Sequence, residues 1–258
     1  MSLFDGLFNF SERKVQEIER RMEGRYVPHE TYPLKANVVF NKKKNNAKIE
    51  NISRSGIRLS LNVDKSTVDW GDEIQIFFDL DDQHFDLFTK VIYSDEDVLH
   101  PGNIFLGLKI VDKNDINLKE YYQAIFPVIA GRSIKYLHED SYYDSKNGIY
   151  KKTYPSEFDS VLIMWVSKKE DDPNYIRGFE IITNQLIFRG TYDNLKLEMV
   201  KDTNSYETLK ERLNTQIEGI PLSPTEKKSA FLFYKWFLMH LSLEFSEEKL
   251  KFLKSFNP

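Results

Sequence analysis

Two groups of residues in the first quarter of this 258-residue chain have side chains suited to binding phosphate and guanine groups. They are three arginines, Arg20, Arg21 and Arg25, and the polar residues of a turn, Asn51, Ser53 and Gly56. A guanidinium group is planar and always charged, and it pairs bidentately with phosphate oxygens or with O6 and N7 of guanine. An asparagine amide both donates to and accepts from a base edge, and a serine adds a hydroxyl. A glycine permits positive φ or the close approach of a ligand.

The order and spacing of the two groups resemble the two-part signature of the PilZ family. That signature is R-x-x-x-R, followed about 20 to 30 residues later by D/N-x-S-x-x-G. Arg21 and Arg25 match its first part, and 25 residues separate Arg25 from Asn51. The resemblance implies a six-stranded β-barrel with a C-terminal helix over roughly residues 12–131, and it implies cyclic di-GMP as the ligand. It further implies that Arg20, directly before the motif, favours capture of the ligand as a stacked dimer.

Local sequence patterns predict the elements that position these residues. Ser11 fits an N-cap, and residues 11–22 predict a charged helix that delivers the arginines. On a helix, the spacing of Arg21 and Arg25 would put both on one face, but Gly24 and Pro28 indicate that the helix ends at this motif, so a basic loop is the predicted setting of the two arginines. Segments rich in β-formers then predict six strands, at residues 34–40, 48–52, 57–61, 73–78, 85–93 and 103–111. A helix predicted at residues 116–130 completes a small barrel domain, taken as residues 1–131.

The remainder of the chain predicts a second, α+β domain at residues 158–258, after a linker or irregular connection at residues 132–157. Its predicted strands are at residues 160–167, 176–182, 185–189 and 195–200. Ser223 and Glu226, with Pro224 between them, form the signature of a capping box at the start of a helix. That helix is unusually apolar but too short to span a bilayer. It is predicted to be the core helix of the second domain, with a partner interface as the alternative.

The charges of the chain are unevenly distributed. Residues 1–60 carry twelve Lys/Arg against seven Asp/Glu, whereas residues 61–100 carry two against eleven. The basic segment suits an anionic ligand, and the acidic one argues against nucleic-acid binding, which requires sustained phosphate neutralisation. The chain has no cysteine, and its five histidines lack metal-ligand spacing. We therefore predict a cytoplasmic protein with no metal, no cofactor and no transmembrane segment.

Three functions are consistent with these patterns. The first is a bacterial cyclic di-GMP receptor whose arginine arm closes over the ligand and relays a signal, with an unknown protein partner bound through the C-terminal domain. The second is a PilZ-like adaptor or scaffold that acts through protein contacts without ligand. The third is an enzyme in the C-terminal half, where Asp159, Glu180 and Asp193 could meet in space. No catalytic signature supports the third function, so we predict no enzymatic activity and no catalytic residues.

Overall fold

The computed structural model describes most of the chain between residues 24 and 256. The described ranges are residues 24–40, 43–63, 68–135, 137, 143–144, 148–157, 160–167, 176–183, 186–191, 194–200, 218–241 and 247–256. The helix predicted at residues 11–22 lies outside them. The described residues divide into two compact units, with the boundary after Val128. The predicted domain limits, 1–131 and 158–258, stay a prediction.

The first unit is a closed antiparallel barrel of six strands, as predicted. The strands are β1 (Leu34–Phe40), β2 (Lys43–Ile52), β3 (Gly56–Leu61), β4 (Glu73–Leu80), β5 (Gln83–Glu96) and β6 (Ile104–Ile110). Their order around the barrel is β1-β2-β3-β6-β5-β4, and pairing of β1 with β4 closes it. Closure leaves none of these six strands at an open sheet edge.

Alternation of apolar residues explains why these segments form barrel strands. In β4, Ile74, Ile76 and Phe78 are buried while the residues between them are half-exposed, which is the period of two that a sheet with one buried face requires. Helix α1 (Asp115–Ser133) follows the barrel and is slightly longer than predicted. Its Tyr121 is fully buried, with its ring centroid 6.1 Å from that of Phe78. The helix thus contributes to the barrel core.

The second unit contains a seven-stranded antiparallel sheet whose strands lie in chain order. They are β7 (Tyr143–Asp144), β8 (Ile149–Pro155), β9 (Val161–Ser167), β10 (Ile176–Ile182), β11 (Leu186–Thr191), β12 (Asn194–Val200) and β13 (Gly219–Pro221). The prediction of a linker or irregular connection over residues 132–157 missed β7 and β8. Two adjacent lysines, Lys151 and Lys152, mask the periodicity of β8, which pairs along its full length with the apolar β9. Tertiary pairing therefore overrides the local pattern.

Helices α2 (Pro224–His240) and α3 (Glu247–Lys254) complete the described part of the second unit. The capping box is confirmed, because the Ser223 side chain accepts from the Glu226 backbone and the Glu226 carboxylate accepts from the Ser223 backbone at 2.8 Å. Aromatic rings of α2 stack on the sheet, with Tyr234 at 5.4 Å from Phe188 and 6.0 Å from Phe179. The apolar helix is therefore packed in the core of this unit. Of the helices described, none has the length and apolar character needed to cross a membrane.

Candidate functional site

The polar turn predicted from the sequence connects β2 to β3 and is held by its own residues. The Ser53 backbone N–H donates to the Gly56 carbonyl at 2.9 Å, and the Gly56 N–H donates to the Ser53 hydroxyl oxygen at 3.1 Å. Ser53 is buried. Its hydroxyl therefore shapes the turn, and the direct ligand contact proposed for it stays a prediction.

Gly56 is required in this turn because another strand approaches it closely. A Cβ at this position would lie 2.8 Å from the carbonyl oxygen of Leu108 on β6, a distance that real side chains essentially never show. The glycine does not have positive φ, which was one of the two reasons expected from the sequence. The chain therefore uses the missing Cβ to bring the turn and β6 together.

A row of residues beside this turn crosses four neighbouring strands. Asn51 on β2 pairs with Arg58 on β3, Arg58 pairs with Gly107 on β6, and Gly107 pairs with Tyr93 on β5. Directly paired residues of an antiparallel sheet point to the same face. The ring of Tyr93 lies against the backbone of Gly107 and leaves no room for a Cβ there. The row thus forms a continuous surface with a polar end at Asn51 and an aromatic end at Tyr93.

This surface lines an open pocket with an empty volume of about 520 Å³, including the solvent at its mouth. Its charged and polar lining side chains are Arg25, Arg58, Lys109, Asn51, Ser53 and Ser55. Among its described lining residues three are cationic and none is acidic. The pocket therefore suits an anionic ligand.

Arg58 is a pocket residue that the sequence analysis did not identify. Its guanidinium carbon lies 4.3 Å from the centroid of the Phe105 ring, so a cation–π contact holds the group in place. Its Nε is buried and has no hydrogen-bond partner among the described residues. A buried donor without a partner costs free energy, so an acceptor that entered the pocket would gain by pairing with it.

The segment that carries the predicted arginines reaches this pocket at Arg25. The next residue, Tyr26, forms a two-hydrogen-bond antiparallel bridge with Ile52 at the end of β2, with both N···O distances 2.9 Å. Arg25 is exposed and lines the pocket, outside any regular element, as the predicted loop requires. Arg20 and Arg21 lie outside the described residues.

The structure thus brings four of the six predicted binding residues to one pocket, Arg25, Asn51, Ser53 and Gly56. It also adds Arg58, Tyr93 and Lys109 to the site. The sequence signal for Arg58 was its position two residues after Gly56, on the same face of β3. Identifying Tyr93 and Lys109 required the pairing register of β5 and β6.

Of the three carboxylates considered for catalysis in the second half of the chain, Glu180 is the one that lies among the described residues. Glu180 accepts a hydrogen bond from Arg189 Nε at 2.8 Å, and Arg189 also pairs with Glu198. Asp159 and Asp193 lie outside the described residues. Within the described ranges no group of three metal-ligating side chains is arranged to hold an ion.

Comparisons with known proteins show what the first unit is similar to. A family model described as "PilZ domain" matches residues 19–126. Solved structures similar to this chain include the PilZ domain of YcgR from Escherichia coli with c-di-GMP, at 14% identity and a TM-score of 0.34, covering 42% of this chain and 88% of that one. Another is the Borreliella burgdorferi PlzA protein in complex with c-di-GMP, at 11% identity and a TM-score of 0.31, covering 69% and 81%. No curated protein matches the chain.

Proposed function

Residues 19–126 of this chain match the PilZ domain family model, and from this match we propose that the protein is a bacterial receptor for cyclic di-GMP. The proposed binding site is the cationic pocket beside the turn between β2 and β3. The proposed role is recognition of a cytoplasmic messenger, with no catalytic step.

The observation that carries the proposal is the charge and hydrogen-bonding state of the pocket. The described lining of the pocket contains three cations, Arg25, Arg58 and Lys109, and no acidic residue. The Nε of Arg58 has no hydrogen-bond partner among the described residues. Cyclic di-GMP supplies two phosphates and two guanines, which are the groups that guanidinium forks pair with best. The ligand would thus neutralise the pocket and satisfy a buried donor at once.

The remaining contacts follow from residue chemistry. The Asn51 amide can donate to and accept from a guanine edge, and it lies directly across from Arg58 in the sheet. The Tyr93 ring at the other end of the row offers an apolar wall for a base. Arg20 and Arg21 would complete the site from the arm that precedes the barrel.

The arrangement of arm and turn supports an arm that closes over the ligand. Arg25 belongs to a segment held to the barrel through the Tyr26 bridge, whereas Asn51 lies within the sheet. One ligand molecule would contact both segments, and residues 18–30 should gain protection from hydrogen exchange when it binds. The second unit is proposed to receive this signal and to bind an unidentified protein partner.

The number of ligand molecules is the second part of the proposal. Arg20 directly precedes the arginine motif and supplies a third guanidinium. We expect two cyclic di-GMP molecules per chain, bound as a stacked dimer, and one molecule per chain in Arg20→Leu. A calorimetric stoichiometry of one for the wild type would reject the dimer and leave the site itself in place.

Isothermal titration calorimetry of the Arg25→Ala variant tests the site. Because Arg25 is exposed, its removal should leave the fold intact and cost roughly 2–4 kcal/mol of binding free energy through lost charge-assisted pairs. Lys44→Ala is the matched control, since Lys44 is an exposed cation on β2 that does not line the pocket. Unchanged affinity in Arg25→Ala would contradict the assignment of the site.

The adaptor is the second candidate function, and one feature of the barrel favours it. Val98 and Leu99, at the tip between β5 and β6, are 90% and 84% exposed, so two adjacent apolar side chains are available there for contact with another protein. Asp97 fixes this tip by accepting hydrogen bonds from the backbone of Leu99 and His100. If the wild-type protein shows no binding heat with cyclic di-GMP at high micromolar concentration, the adaptor replaces the receptor.

A further inference from the structure

The carbonyl group of the ligand-site turn is hydrogen-bonded to helix α1. The Tyr121 hydroxyl donates to the Ser53 carbonyl oxygen at 2.8 Å, and both residues are buried. Since hydrogen bonds weaken steeply as their geometry departs from the optimum, movement of the turn changes the force on this helix. No water competes for the bond, because the Tyr121 side chain is fully buried.

The segment that follows the arginine arm is tied to the same helix. The Tyr32 hydroxyl donates to the Ala124 carbonyl oxygen at 2.6 Å. Burial, with a smaller contribution from the negative charge of Asp81, raises the pKa of Tyr32 well above its usual range, so this hydroxyl remains a donor. Ala124 lies three residues after Tyr121, so the two contacts lie within about one turn of α1. The turn of the proposed site and the segment between the arm and β1 are thus both bonded to α1, at positions three residues apart.

Helix α1 continues past the boundary of the first unit. The division falls after Val128, and the helix ends at Ser133. In its last turns Gly131 packs so closely on α2 that a Cβ would lie 2.9 Å from the Phe237 carbonyl oxygen and 2.8 Å from the Cβ of His240. Pro127 has no N–H to donate within the helix, which makes the turn before the boundary the easiest place for a bend to change.

From these contacts we propose that α1 is the element that transmits ligand binding to the second unit, and that Tyr121 and Tyr32 are the positioning residues that couple it to the site. The proposal rests on the receptor function proposed above. Ligand binding shifts the turn, the tyrosine hydrogen bonds shift α1, and the tight packing at Gly131 passes the displacement to α2. A continuous helix with close contacts before and after the boundary provides a contiguous packed connection for such coupling.

Tyr121→Phe separates binding from transmission, because it removes only the hydroxyl and retains the ring. Hydrogen exchange with and without saturating cyclic di-GMP is measured for residues 129–133 and 224–240. We expect the wild type to gain protection in both segments. We expect Tyr121→Phe to bind about fivefold more weakly and, once saturated, to lose that gain. Tyr32→Phe provides a second variant with the same expected result, should Tyr121→Phe fail to fold.

Tyr234→Phe is the matched control. The Tyr234 hydroxyl donates to the Leu253 carbonyl at 2.8 Å in an equally buried setting, but within the second unit. Its removal should lower stability to a similar degree while leaving both the affinity and the ligand-induced protection of residues 129–133 unchanged. A similar loss in this control would show that general destabilisation, rather than coupling at the turn, explains the tyrosine variants.

The outcomes distinguish the two proposals. If the wild type binds cyclic di-GMP but residues 129–133 and 224–240 gain no protection, transmission through α1 is wrong and the receptor function stands. Full retention of the protection in saturated Tyr121→Phe and Tyr32→Phe also overturns the role of the tyrosines. If the wild type does not bind the ligand at all, the receptor function fails and the transmission proposal fails with it.

Discussion

Replacing Gly56 with alanine tests whether the close approach of β6 to the turn determines the geometry of the site. The new Cβ would lie 2.8 Å from the Leu108 carbonyl oxygen, about 0.6 Å short of an ordinary van der Waals contact. The obstructing atom is backbone, and the adjacent pairs Gly56–Lys109 and Ile57–Leu108 fix β6 at this point. Strand β6 cannot move away from the new Cβ without weakening its hydrogen bonds to β3, so the turn must shift.

The expected free-energy change follows from two opposing terms. Overpacking of a well-ordered site costs about 1–3 kcal/mol. Replacement of glycine by alanine also reduces the entropy of the unfolded chain, which offsets about 0.4–1 kcal/mol of that cost. We therefore expect a net loss of about 1–2 kcal/mol in the free energy of unfolding. Because the shifted turn also lines the pocket, cyclic di-GMP should bind at least about tenfold more weakly.

Gly102→Ala is the control for this experiment. Gly102 has a φ of +91°, and the nearest atom to its hypothetical Cβ lies 3.6 Å away, so the substitution strains the backbone without a steric clash. It should cost about 1–2 kcal/mol of stability and leave affinity unchanged. Urea unfolding followed by circular dichroism and calorimetric titration measure the two quantities. Wild-type stability and affinity in Gly56→Ala would refute the steric argument.

Further predictions concern Arg58 and the second unit. Arg58→Ala should weaken cyclic di-GMP binding by about 1.5–3 kcal/mol in calorimetry, and Arg58→Lys should not restore it, because an ammonium group lacks the planar fork that lies on Phe105. Ser223→Ala should lower the stability of the second unit by about 1 kcal/mol in urea unfolding, since it removes the helix cap. The Ser223 side chain and then its backbone N–H lower the pKa of Glu226. The stability that the capping box contributes should therefore be fully present above the ordinary pKa of glutamate and should disappear as the pH falls through the lowered pKa of Glu226. Unfolding of the wild type and of Ser223→Ala at a series of acidic pH values would show this loss.

The strands of the first unit could be predicted from the sequence because each carries its own signal. Alternation of buried and exposed residues in β4, and glycine- or asparagine-containing turns between strands, do not depend on distant parts of the chain. The capping box before α2 is equally local, since Ser223 and Glu226 satisfy each other's backbone groups. Strand β8 was missed because its own residues carry no clear alternation, and it is a strand because it pairs along its full length with β9.

The candidate site was predictable only where it follows a local motif. Arg25, Asn51, Ser53 and Gly56 were found because the motif spacing marks them. The role of Arg58 depends on two relations absent from the local sequence, its pairing with Asn51 and its contact with the Phe105 ring.

The physical reason for a motif residue could also differ from the one expected. Gly56 is needed for the approach of Leu108, which is distant in sequence, and its φ plays no part. The contact of the Ser53 hydroxyl with a ligand stays a prediction, and the structure adds a role for this hydroxyl within the turn, where it accepts from the Gly56 N–H. Steric and hydrogen-bonding roles of this kind depend on tertiary neighbours, which the spacing of a motif does not reveal.

Calorimetric titration of the wild-type protein with cyclic di-GMP, with GTP and the linear dinucleotide as comparison ligands, tests the central claim most directly. The receptor function predicts saturable binding of cyclic di-GMP and much weaker binding of the other two, because the paired arginines and the turn must contact two guanines and two phosphates at once. Arg25→Ala and Arg58→Ala should each lower that affinity. Absence of binding heat with cyclic di-GMP at several hundred micromolar, or equal affinity for all three ligands, would contradict the receptor function.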